Sequence, residues 1–160
     1  MGARFVKGLA SKGMENKKPI RSYHDLDVYQ NAYKASVLVM TKIVPNLPES
    51  EKYDLKDQLS RSSKAVPRLI AEGFAKKHQR LGFQKYLDDA MGESNETQVG
   101  LCQCKDIYPT YMAADLCSHL IDEYDKISKQ LFNLELAWNK FSRIKTLDSR
   151  QLEDTRRAKP

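Results

Sequence analysis

Hydrophobic residues along this chain recur mostly at intervals of three and four, the spacing that returns to one face of an α-helix. Four segments carry the pattern. In the first, Ser22 and Asp25 form a capping box that opens a helix near Tyr23. Leu26, Tyr29, Tyr33, Val37, Met40 and Val44 mark its predicted buried stripe, and Pro45 and Pro48 end it. Ser50 is the predicted cap of a second helix, with Leu55, Leu59, Val66, Ile70 and Phe74 on its apolar side. Pro67 falls inside that helix, where its missing amide predicts a kink. Ala71 and Gly73 predict close packing just beyond, and Gly73 with the polar run 76–80 closes the element.

A third helix is predicted from Arg80 to Tyr108, with Phe83, Leu87, Ala90, Met91, Ser94, Leu101 and Tyr108 on one side and Pro109 as its stop. The fourth runs from Ala113 to Phe141 and has the most regular stripe: Leu116, Leu120, Tyr124, Ile127, Leu131, Leu134, Trp138 and Phe141. No segment alternates with the period of a strand. Four amphipathic segments of ~20–29 residues with short links predict an all-α fold, an antiparallel up-down four-helix bundle. The expected organisation is a disordered basic arm over 1–21, the bundle over 22–141, and a basic C-terminal tail without apolar period over 142–160.

A length of 160 residues with 41% apolar content suits one domain with a sizeable core. No apolar run approaches the ~20 residues of a membrane span, and the basic N-terminus lacks the apolar centre of a signal peptide. Cys102, Cys104 and Cys117 make no even-numbered disulfide framework. The expected compartment is therefore the reducing cytoplasm.

The net charge of +6 is unevenly spread. Residues 1–24 hold six bases and one acid, and residues 142–160 hold six bases and three acids, so the excess lies in the two ends. Between Arg61 and Lys85 there are seven basic residues and one acid, Glu72, whereas residues 86–141 carry ten acids and four lysines. Segregated positive charge on a rigid element is the footprint of a polyanion binder. Arg61, Lys64 and Arg68 fall at helical spacing, within about 60° of one another on a wheel of 100° per residue. They point away from Leu59, Val66 and Ile70, so three cations form an outward row suited to a phosphate backbone. Lys76, Lys77, His78 and Arg80 cluster at the turn that follows. Aromatic residues do not alternate with these bases, Phe74 belonging to the apolar side of the helix, which favours recognition of backbone and shape over base stacking.

Catalytic patterns are missing from the sequence. Cys102 and Cys104 stand two apart, about 200° around a helix, and no CxxC or HxxxH pair accompanies Cys117 and His119. Small buried hydrophobes are the expected role of the cysteines. Glu72 and Glu96 lack the two Glu-x-x-His motifs of a di-iron bundle, and no phosphate loop, nucleophile elbow or metalloprotease signature occurs. The expectation is a non-enzyme without metal or cofactor.

Several of these residues carry a family resemblance. The run Tyr23-His24-Asp25-Leu26-Asp27-Val28-Tyr29-Gln30-Asn31-Ala32 opens it. Tyr53-Asp54-Leu55 and Gln58-Leu59-Ser60-Arg61 continue it. Pro67 before Ile70-Ala71-Glu72-Gly73-Phe74 is the most specific piece, followed by Ala90-Met91-Gly92 and Glu96. Over residues 22–110 the chain resembles the bacterial four-helix bundle proteins encoded by intervening sequences in large-subunit ribosomal RNA genes, relatives of the accessory variability proteins of diversity-generating retroelements. The resemblance implies a bundle assembled as a homopentameric ring, a basic surface for nucleic acid, and no enzymatic activity.

Two readings follow. The first is a homo-oligomer that binds structured RNA or an RNA–DNA hybrid through Arg61, Lys64, Arg68, Lys76, Lys77 and Arg80, with ring assembly multiplying weak contacts. The second is an interaction scaffold whose acidic fourth-helix face, with Asp122, Glu123 and Asp125, docks a basic partner such as a reverse transcriptase.

Overall fold

The computed structural model describes residues 19–79 and 81–157, and side chains in the last helix as far as Phe141. Most of the expected basic arm, residues 1–18, lies outside the described residues, as does Arg80. Within the described residues four α-helices make the fold: α1 Asp27–Leu38, α2 Leu55–Ala75, α3 Gly82–Ile107 and α4 Ala114–Arg157. Among the described residues there is no strand. Helix α2 packs on α3, α3 on α4, and α1 closes the ring against both α2 and α4. Contacts fix the antiparallel sense. Leu59 lies beside Gly100, Ser62 beside Thr97 and Gly73 beside Tyr86, so α2 and α3 run in opposite directions. The same reversal appears between α3 and α4, where Gln84 meets Glu135 and Ser94 meets Ser128. The fold is the four-helix bundle that the periodicity predicts.

Local chemistry departs from the sequence reading at both ends of α1. The capping box is present, with Asp25 Oδ2 accepting from the Ser22 amide at 2.8 Å. It caps only a single 3₁₀ turn, Tyr23–Asp25, and the chain extends at Leu26 before α1 begins. After Leu38 the helix widens into a π-helical segment, Val39–Ile43, then tightens into a 3₁₀ turn, Val44–Asn46. Ser50 does not cap α2. It sits in a separate 3₁₀ turn, and the Leu55 amide donates to Glu51 Oε2 at 3.2 Å. Helix α2 then continues through Pro67 as one α-helix. Beneath Pro67, the Ser63 hydroxyl donates back to the Leu59 carbonyl at 2.5 Å.

The buried face of α1 is the main correction. Val28, Ala32, Ala35 and Ser36 are enclosed, followed by Val39 and Ile43 of the π segment. Tyr33 and Val37 of the predicted stripe are exposed. Both sets recur at steps of three and four, so periodicity alone does not choose between them. The alanine-rich face lets α1 approach its neighbours closely, and tyrosine hydroxyls favour a half-wet position. The stripes of α2 and α4 hold through Phe74 and Leu131. Helix α4 also runs well beyond Phe141, to Arg157, through the segment expected to carry only a tail. No glycine or proline interrupts 114–157, so propagation meets no stop signal.

Candidate nucleic-acid interface

Helix α2 carries the basic row on its outer face because Leu59, Ser62, Ser63, Val66, Pro67 and Ile70 all turn inward. Arg61, Lys64 and Arg68 are exposed, as the wheel predicts. Their partners differ. Arg61 stands 3.6 Å from Asp57, a pair with both side chains largely in water and worth well under 1 kcal/mol. Arg68 donates through Nε to the Lys64 carbonyl at 3.1 Å, which leaves its terminal nitrogens outward. Among the described residues, no carboxylate lies within ion-pair distance of Lys64 or Arg68. The acid in reach is Glu93 on α3. Burial and Glu96 raise its carboxyl above the usual range, while Arg61 and Arg68 pull it down.

The turn cluster is more committed to the fold. Lys76 pairs with Glu72 at 2.8 Å, hydrogen-bonds Tyr86, and lies 4.5 Å from the Tyr86 ring centroid. The Tyr86 hydroxyl donates in turn to Glu72 at 3.0 Å. The hydrogen bond from Lys76 lowers the Glu72 carboxyl below its ordinary value. This triad ties the end of α2 to α3, so Lys76 serves structure first. Lys77 caps the Phe74 ring at 3.9 Å.

The place of three tyrosines beside the basic row is what sequence reasoning missed. Tyr23, Tyr29 and Tyr33 line one groove together with Lys64, Pro67 and Arg68. No tyrosine falls among these bases along the chain, yet the packing of α1 on α2 brings three tyrosine rings to the row. The correctly phased alanine stripe was the one signal that pointed these tyrosines outward.

The other constellations resolve simply. Cys104 and Cys117 are enclosed in the core, but Cys102 is exposed, against the expectation for all three. Burial pushes the Cys104 thiol up to about 12. Among the described residues, no group of His, Cys, Asp or Glu is arranged to hold a metal ion. None of the helices described is long and apolar enough to cross a membrane. On the acidic face of α4, Glu123 lies 3.7 Å from Lys126, and Asp125 bonds Lys129. Two of its three acids are thus partly neutralised from within.

Fold and residues together define a helical bundle with a charged surface, and comparison with known proteins places it. The family model described as 23S rRNA-intervening sequence protein matches residues 24–133, reaching well into α4. The chain belongs to that family. A solved structure from Bacteroides thetaiotaomicron, a protein with unknown function from the S23 ribosomal protein family, shares the fold. Its TM-score is 0.59 at 20% identity, covering 68% of this chain and 97% of that one. No curated protein matches the chain.

Proposed function

We propose that the protein is a non-enzymatic, homo-oligomeric nucleic-acid-binding bundle of the cytoplasm, which holds structured RNA or an RNA–DNA hybrid by the phosphate backbone. The observation that carries this reading is the pair Lys64 and Arg68, one turn apart on α2, exposed and without an ion-pair partner among the described residues. Like charges in one helical row repel, and a polyanion relieves that repulsion while releasing its own counterions. Arg61 extends the row, Lys77 extends it toward the turn, and Lys76 contributes least because Glu72 already holds it; Arg80, the remaining base of the set, lies outside the described residues. The family's description refers to 23S rRNA, which makes RNA the first polyanion to test.

The test is binding of a labelled RNA hairpin across a salt series. Replacing Arg61, Lys64 and Arg68 by glutamine removes the row without setting new acids against Glu93. Affinity is expected to fall about equally for unrelated sequences, and the slope against salt to shrink by about one unit per lost phosphate contact. Unchanged affinity and slope in a folded triple variant would remove the row from the interface.

A further inference from the structure

Between α1 and α2 lies a groove of about 420 Å³, within the roughly 300–1,000 Å³ of small-ligand sites. Its α1 wall is aromatic. Tyr29 and Tyr33 lie near parallel, with ring centroids 6.2 Å apart and planes inclined by 24°. Tyr23 braces Tyr29 from the edge at 4.8 Å. Tyr33 is 53% exposed, so its ring remains open to a ligand. The α2 wall supplies Pro67 beside Lys64 and Arg68, the two cations of the row that lack ion-pair partners among the described residues. Flat π surfaces next to unpaired cations match a flat ring joined to phosphates. A simple inorganic anion makes no use of the rings. An apolar helix of a second copy would bury both cations unpaired, which is unfavourable.

We propose that this groove receives one unpaired base of a bound nucleic-acid strand, stacked on Tyr33, with its flanking phosphates on Lys64 and Arg68. The proposal rests on the backbone-binding reading and deepens it. The same cations that hold a phosphate chain gain a preference for strands that offer an unstacked nucleotide. Stacking on an aromatic side chain tolerates any base, so the preference is for unpaired structure and not for sequence.

The experiment compares a blunt RNA duplex with the same duplex carrying a bulge of several unpaired nucleotides. The proteins are the full chain, Tyr33→Ala, Tyr33→Phe, and the double variant Lys64→Gln with Arg68→Gln. Wild type is expected to favour the bulged RNA by roughly ten-fold. Tyr33→Ala should erase that preference and leave duplex affinity intact, Tyr33→Phe should keep it, and the double variant should weaken both RNAs. Equal binding of both RNAs by wild type, or a preference that survives Tyr33→Ala, overturns the groove while the backbone reading stands. Absence of any RNA affinity removes both. A change of particle size for Tyr33→Ala in light scattering assigns the groove to a subunit contact and also overturns the proposal.

Discussion

Tyr124 sits in the first quarter of α4 with its ring fully enclosed and its hydroxyl without a hydrogen-bond partner among the described residues. Tyr86 and Tyr108 differ, since their hydroxyls reach Glu72 and Glu51. A buried polar group left unsatisfied costs about 1–3 kcal/mol. Tyr124→Phe keeps the ring and is expected to raise unfolding free energy by about 1 kcal/mol in a urea titration. A loss of stability would show that the hydroxyl is held by a partner. The cysteines allow a second residue-level check. At neutral pH a thiol reagent should modify Cys102 quickly in the native protein and all three thiols only after unfolding. Cys104 has its folded value raised from 9.0 to about 12 by burial, so the folded state holds its proton longer than the unfolded chain. Its contribution to stability is whole below pH 9 and is lost as pH climbs toward 12. The decline of melting temperature over that window should be shallower in Cys104→Ala.

Two glycines test how tightly the elements meet. A Cβ on Gly73 would stand 2.6 Å from the Tyr86 Cβ and 3.0 Å from a Phe83 ring atom, so α2 and α3 would have to part. Gly92 on α3 has open space at that position. Helix propensity alone favours alanine over glycine by about 1 kcal/mol at either site. Gly92→Ala should therefore stabilise by up to about that amount, while Gly73→Ala should destabilise by about 1–3 kcal/mol through overpacking. Equal effects from the two in thermal melts would contradict the close approach. Gly73 was legible in the sequence as a close-packing site, as were the existence and sense of all four helices. The phase of α1 was not, because Leu26-Tyr29-Tyr33-Val37 and Val28-Ala32-Ala35-Val39 have the same periodicity. Larger side chains drew the eye, whereas interhelical distance selected the smaller ones. The end of α4 was also hidden: absence of an apolar period says that a face is not buried, not that a helix stops.

For the molecule as a whole, the basic row was readable from one helix, but the aromatic wall beside it was not. It arises from residues more than thirty positions apart on two helices, and only the packing of those helices places Tyr33 near Lys64. Assembly belongs to this scale too. Phe132 and Leu136 stand one turn apart on α4, each about half exposed, and Val99 and Ile107 on α3 are as open. Large apolar residues gathered on one helix face mark contact surfaces. Light scattering at micromolar concentration is expected to report a closed oligomer, a pentamer by family resemblance. Phe132→Glu with Leu136→Glu should reduce it to single chains, and a wild-type monomer would refute assembly through this face. The route to that mass matters because of α4. Its 44 residues span ~66 Å at 1.5 Å per residue, against ~39 Å for the 26 of α3. The Phe83 and Trp138 rings meet at 4.9 Å, so the start of α3 is level with Trp138 and the last turns of α4 run on past it. A body with such a spar meets more friction in solution than a sphere of equal mass. Elution volume calibrated on compact standards would thus overcount its subunits, and an absolute mass is the quantity to trust.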